Sequence, residues 1–217
     1  MIRLHHVPQA RSFRILWLLE EMGETFDIVP HSFFDRSLRA DDYLALSPAG
    51  RVPALEIDER VLFESGAIAE WLCETRGRFG RAPGDPERAE WLEWLHFAET
   101  AGQHIAALTQ QHIVLREDWM RSPTVMRLEA KRLEKVLQVA DRVLTRHDWL
   151  LPSGFSAVDV AFGYSALIGR RFLRLDAMPA LAAWLARIEA RPAYRRAAAR
   201  DGAAQIYTRD LYEAPDA

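Results

Sequence analysis

At 217 residues the chain is long enough for one large domain or for two small ones that share an interface. A formal net charge of −3 gives no global basic field of the kind that marks nucleic-acid binding, and 49% hydrophobic with 27% charged residues is an ordinary globular composition. The single cysteine excludes an intramolecular disulfide and suits a reducing compartment; with no apolar run of membrane-spanning length, a cytoplasmic location without membrane contact is expected.

In chain order, Ile2-Arg3-Leu4-His5-His6 alternates and reads as a first strand. After the loop Pro8 to Arg11, Ser12 suits the N-cap of a helix with the apolar stripe Ile15, Leu18, Leu19 and Met22, which Gly23 stops. Phe26 to Val29 reads as a second strand and Ala40 to Leu46 as a short helix, followed by a turn at Ser47-Pro48-Ala49-Gly50. Pro53 to Ile57 and Val61 to Phe63, joined by the polar Asp58-Glu59-Arg60, form a hairpin. Ser65 suits the N-cap of a third helix carrying Ile68, Trp71 and Leu72. Gly77 to Pro86 is dense in Gly and Pro and reads as a linker.

Everything beyond the linker is expected to be helical. Trp91, Leu95, Ala98, Gly102, Ile105 and His112 recur at three and four along one long segment. Ser122-Pro123 starts a second helix with Met126, Leu133, Val136, Leu137, Ala140 and Leu144. Ser156 and Asp159 have capping-box spacing, with Phe155 and Val160 at the staple positions, and this arrangement reads as structural. Pro179 opens another helix that Arg191-Pro192 ends, and Tyr194 to Arg200 forms one more. Ile206, Tyr207, Leu211 and Tyr212 in the tail are placed to fold back onto the body as a flap.

Three features of residues 47–72 suit a peptide-like ligand. Pro53 restricts Val52 to an extended conformation, which leaves the Val52 N–H and C=O available to pair with an extended chain. Ser65 sits at a helix N-terminus, where unpaired N–H groups and partial positive charge favour a carboxylate. Glu64 beside it is an acceptor for an ammonium group. Cys73 reads as a buried inert thiol. The seven histidines show no metal-ligand spacing, so no metal is expected.

The run SPAGRVPAL from Ser47 to Leu55, with Glu64-Ser65-Gly66-Ala67-Ile68, resembles the glutathione-binding half of the glutathione S-transferase family, in its bacterial, theta/beta-like cytosolic form. The resemblance is strong to about Thr75 and looser over the rest of the chain. It implies a thioredoxin-like βαβαββα domain over residues 1–77, a linker over 78–86 and an all-helical bundle domain over 87–217. It also implies a cis-proline at Pro53, pairing of the Val52 backbone with the cysteine of glutathione, a γ-glutamyl grip by Glu64 and Ser65, and contact of Arg51 with the glycine carboxylate. Glutathione would be the cosubstrate, attacking a small electrophile or serving as reductant. The protein would be a homodimer, with the first domain of one subunit against the helical domain of the other.

The family's reaction needs a thiolate, and an unperturbed thiol with a pKa of about 8.5 is mostly protonated at neutral pH. Most members supply a Tyr, Ser or Cys in the first βα loop. Aligning Arg14 to Glu21 on the family's first helix puts Ala10 at that position, and alanine has no donor. Ser12 and Arg11 are then the candidates to favour the thiolate. The alternative is a non-catalytic glutathione-binding or regulatory protein that keeps the fold. The electrophile pocket is expected between the domains, with Trp94, Phe97, Glu99, Gln103 and Trp119 as candidates.

Overall fold

The computed structural model describes residues 1–215, which divide into two compact units. The first comprises residues 1–82 together with 189–206. Its elements are β1 (Ile2–His6), α1 (Ser12–Met22), β2 (Asp27–Pro30), α2 (Asp41–Leu46), β3 (Ala54–Ile57), β4 (Arg60–Phe63), α3 (Ser65–Arg76) and, from the far end of the chain, α8 (Pro192–Asp201). The four strands form one mixed sheet in the order β2-β1-β3-β4. β2 runs parallel to β1, β3 antiparallel to β1, and β4 antiparallel to β3. This is the thioredoxin-like arrangement that the family resemblance implies.

Period-two alternation sets the register. Leu4 lies opposite Ile28 on one side and Leu55 on the other, and both Leu4 and Leu55 are buried. The hairpin turn is shorter than its sequence suggests: Asp58 takes a positive φ of 54°, and Arg60 already belongs to β4.

The α1 helix is buried beyond its expected stripe. Phe13, Arg14, Leu16 and Trp17 are covered as well as Ile15, Leu18 and Leu19. For Phe13 and Trp17 the cover is α8, whose Tyr194 packs edge-on against both, and Arg14 lies against Ser65 of α3. Arg191 makes a two-pronged ion pair with Glu21, at 2.7 and 2.8 Å, while Arg196 and Arg200 both reach Glu20. Burial works against the Glu20 charge, but the hydrogen bonds and charges of these two arginines hold its carboxyl below the ordinary value. Residues 189–206 therefore group with the sheet although they follow the helical region in sequence.

One turn requires glycine. Gly50 has φ +60°, and a Cβ built there would lie 2.6 Å from the main-chain oxygen of Leu38. The left-handed conformation alone costs a β-carbon about 1–2 kcal/mol. With the added clash, Gly50→Ala is expected to destabilise the protein by about 2 kcal/mol or more, read as a lower urea midpoint at unchanged slope.

The second unit comprises residues 83–188 and the segment from Tyr207 onward. It holds α4 (Arg88–Thr109), which ends in a π-helical turn at Gln110–Val114, then α5 (Pro123–Leu144), α6 (Ala157–Gly169) and all but the last two residues of α7 (Pro179–Ala190). Ser122 caps α5 by accepting the Val125 N–H, with Pro123 in the first turn. α6 is apolar almost all round and is buried from Ala157 to Leu167, as a central helix must be. Asp159 near its start is fully buried and accepts the N–H groups of Leu150, Ser156 and Trp184. The tail folds back within this unit: Tyr207 and Tyr212 are buried against Phe172, and the Tyr207 hydroxyl bonds that of Thr109. Among the described residues no helix is long and apolar enough to cross a membrane.

Candidate active site

The stretch around Val52 is built by hydrogen bonds to its neighbours. The Arg51 carbonyl accepts from the Tyr43 hydroxyl at 2.7 Å and the Ser47 hydroxyl at 2.8 Å, and the Arg51 N–H donates back to Ser47. The Val52–Pro53 bond is cis. The Val52 N–H and C=O bond no other group among the described residues, so this short backbone edge keeps its pairing capacity. Val52, Val7, Ala10, Leu38, Tyr43 and Ala54 form one buried apolar cluster. The turn before β3 and the loop after β1 thus share a base, while the Arg51 side chain is exposed.

Ser65 is the first residue of α3 rather than its cap; exposed Glu64, at φ +70°, takes the cap position and turns the chain out of β4. The Ser65 hydroxyl therefore does not cap its own helix. It accepts a 3.0 Å hydrogen bond from Nη1 of Arg14, a guanidinium that is 3% exposed. Accepting that bond leaves the Ser65 proton to donate outward. Sequence reasoning passed over Arg14. The available signal was its place in the series 14, 18, 22, which sets a charge on the apolar stripe of α1.

Ala10 is buried and its side chain offers no donor. Arg11 is half-buried and caps α1 with its backbone alone. Ser12 is fully buried, and its hydroxyl lies 2.8 Å from Nδ1 of His6 and 3.3 Å from both N and O of Val7. Ser12 is the first helical residue, and its hydroxyl holds the preceding loop instead of capping the helix. Cys73 is no nucleophile: burial, then the charges of Glu70 and Glu74, push its thiol up to about 12.

Of the five electrophile-pocket candidates, Trp94 and Phe97 share a cleft of about 710 Å³ between α4 and α5, lined also by Val139, Val143 and Arg146. Glu99 and Gln103 lie roughly 140–180° further round α4 at 100° per residue, and Trp119 stands 81% exposed on a 3-10 turn. The five do not converge on one surface. Among the described residues there is no group of three or more metal-ligating side chains.

Beneath α2 runs a carboxylate–imidazole chain. His5 Nε2 bonds Glu56 at 2.9 Å, and His5 Nδ1 bonds His31 Nε2 at 2.8 Å. Glu56 only accepts, so His5 donates to it at Nε2, and the buried Nδ1 of His31 at the far end of the chain has no hydrogen-bond partner. Burial, then the neighbouring His5, lowers the His31 pKa from 6.5, against smaller opposing effects of Asp35 and Asp42. The unfolded chain therefore binds this proton more readily. Stability should fall as pH drops below 6.5 and stop falling once the native ring is itself protonated. Urea midpoints measured against pH check this, and His31→Gln should flatten the dependence.

Comparison with known proteins agrees with this geometry. Residues 10–75 match the family model for the glutathione S-transferase N-terminal domain, and residues 121–192 match that for its C-terminal domain. Glutathione S-transferase 3 of Zea mays is 29% identical over 210 residues, covering 91% of this chain and 93% of that protein. A glutathione S-transferase structure from Xylella fastidiosa superposes with a TM-score of 0.79 at 27% identity, covering 93% of this chain and 98% of that one. A glutathione transferase from Phanerochaete chrysosporium, solved with oxidized glutathione, superposes at 0.84 with 24% identity, over 92% of this chain and 96% of its own. With both domain models matched over more than half its length, and with the mixed sheet, the cis bond before Pro53 and the helical second unit in place, the chain belongs to the glutathione S-transferase family.

Proposed function

We propose that the protein binds glutathione in the first unit and transfers or oxidises it as a glutathione transferase acting on small electrophiles. The observation that carries this reading is the unpaired main chain of Val52 beside the cis bond to Pro53, with the start of α3 in the same unit. In this reading Val52 pairs with the cysteine backbone of glutathione. Ser65 and the first turn of α3 hold the γ-glutamyl carboxylate, Glu64 takes the ammonium group, and Arg51 reaches the glycine carboxylate. The glutathione-bound relatives support it. Arg11 supplies positive charge at the start of α1, and Ser12 acts from behind the loop, holding its shape. No metal enters the scheme.

Calorimetric titration tests binding: Ser65→Ala removes one hydroxyl and should weaken glutathione by about 1–3 kcal/mol. Unchanged affinity in both Ser65→Ala and Glu64→Ala would mean a different ligand. The reaction itself is tested by the ultraviolet absorbance of bound thiolate against pH, alongside turnover of an aryl halide and a mixed disulfide. Ala10 favours a second reading, a binding protein that lacks the chemistry. A bound thiol with its free-solution pKa and no turnover would establish that reading. A homodimer belongs to the same proposal, supported by the half-exposed Val61 and Phe63 on edge strand β4. A monomer in sedimentation at micromolar concentration would remove it.

A further inference from the structure

The loop after β1 is held from behind by the far end of the chain. His6, 2% exposed, places Nε2 at 3.1 Å from the Asp201 carbonyl and 3.2 Å from its carboxylate. Both partners only accept, so Nε2 donates to Asp201, and Nδ1 on the other side of the ring lies 2.8 Å from the Ser12 hydroxyl, which also reaches the Val7 carbonyl at 3.3 Å. Ser12 Oγ in turn accepts from the Val7 N–H. The same Asp201 carboxylate receives the Gln9 N–H at 3.2 Å on each oxygen, at a residue held at φ +63°. Gln9 Oε1 closes the ring by accepting the N–H groups of Gln205 and Ile206. Between His6 and Ser12 the loop also carries Ala10, which cannot donate to a sulfur.

We infer that Asp201 and His6 are positioning residues for the thiolate-stabilising turn. Asp201 at the end of α8 holds Nε2 of His6 through its main-chain carbonyl and its carboxylate, His6 holds the Ser12 hydroxyl, and the Asp201 carboxylate directly pins Gln9. Residues 7–12 thereby keep one shape, and the start of α1 presents its charge and dipole to the sulfur without a side-chain donor. The Ser12 proton is spent inside the clamp and is not given to the ligand. This inference rests on the glutathione reading above.

The test uses the full-length protein with Asp201→Ala, the milder Asp201→Asn and His6→Phe. Three quantities are measured: amide hydrogen exchange of residues 7–12, the pKa of bound glutathione thiol by ultraviolet absorbance, and kcat against KM. The expected result is exchange in 7–12 faster by about tenfold with the sheet unchanged, a thiol pKa higher by roughly one, and kcat lower by about tenfold to a hundredfold at nearly constant KM for glutathione. A purely structural role would lower the melting temperature and leave the thiol pKa and kcat alone; that outcome overturns the inference. If the unaltered protein binds no glutathione, the functional reading falls, and the exchange arm decides the clamp: unchanged protection in Asp201→Asn and His6→Phe removes it.

Discussion

Asp159→Ala should cost about 3–5 kcal/mol, the largest loss expected from any single change described above. Its carboxylate is fully buried at the start of α6 and collects the Leu150 N–H at 3.0 Å, the Ser156 N–H at 2.9 Å and the Trp184 indole N–H at 3.2 Å. Alanine leaves these donors in an apolar interior, and each orphaned donor costs about 1–3 kcal/mol. Three donors belonging to a loop, a helix start and α7 would lose their common anchor together. Against a typical total of about 5–15 kcal/mol, much of the margin disappears. Urea unfolding should show a far lower midpoint. Asp159→Asn, which keeps an acceptor, should lie between the two. A loss below about 1 kcal/mol would mean that water enters and satisfies the site.

Arg14→Met should weaken glutathione binding by about tenfold to a hundredfold, matching the roughly 1.5–3 kcal/mol of a hydrogen bond to a charged group. Arg14 puts a buried positive charge against the Ser65 hydroxyl, where the α3 dipole already favours an anion. The two fields add for a carboxylate and do nothing for a neutral group. Methionine keeps the volume of the side chain but withdraws the guanidinium from Ser65 and its other partners, so some loss of melting temperature is expected beside the fall in affinity. A glutathione analogue lacking the γ-glutamyl carboxylate should bind Arg14→Met and the unaltered protein alike. If the variant also loses the analogue, Arg14 serves the fold and not the ligand.

The sequence by itself determined the strands, the order of helices, the turn at Val52-Pro53 and the helix start at Ser65, because these follow from local rules. Period-two and period-3.6 patterns, the missing N–H of Pro53 and the Ser-Pro start of α5 act within a few residues of themselves. Segment 47–65 was legible because a proline-restricted turn and a helix start are positioned by their sequence neighbours. Tertiary structure alone decided the rest. Ser12 reads locally as a cap, yet its hydroxyl is claimed by His6 because α8 brings Asp201 across 195 residues to orient that ring. Arg14 draws no reading from the sequence, and its role appears only where α3 lays Ser65 against it. The grouping of α8 with the sheet likewise depends on ion pairs from Arg191, Arg196 and Arg200 to α1, more than 160 residues earlier. A hydrogen bond recognises distance and direction, and periodicity along the chain carries no information about which distant donor the fold delivers.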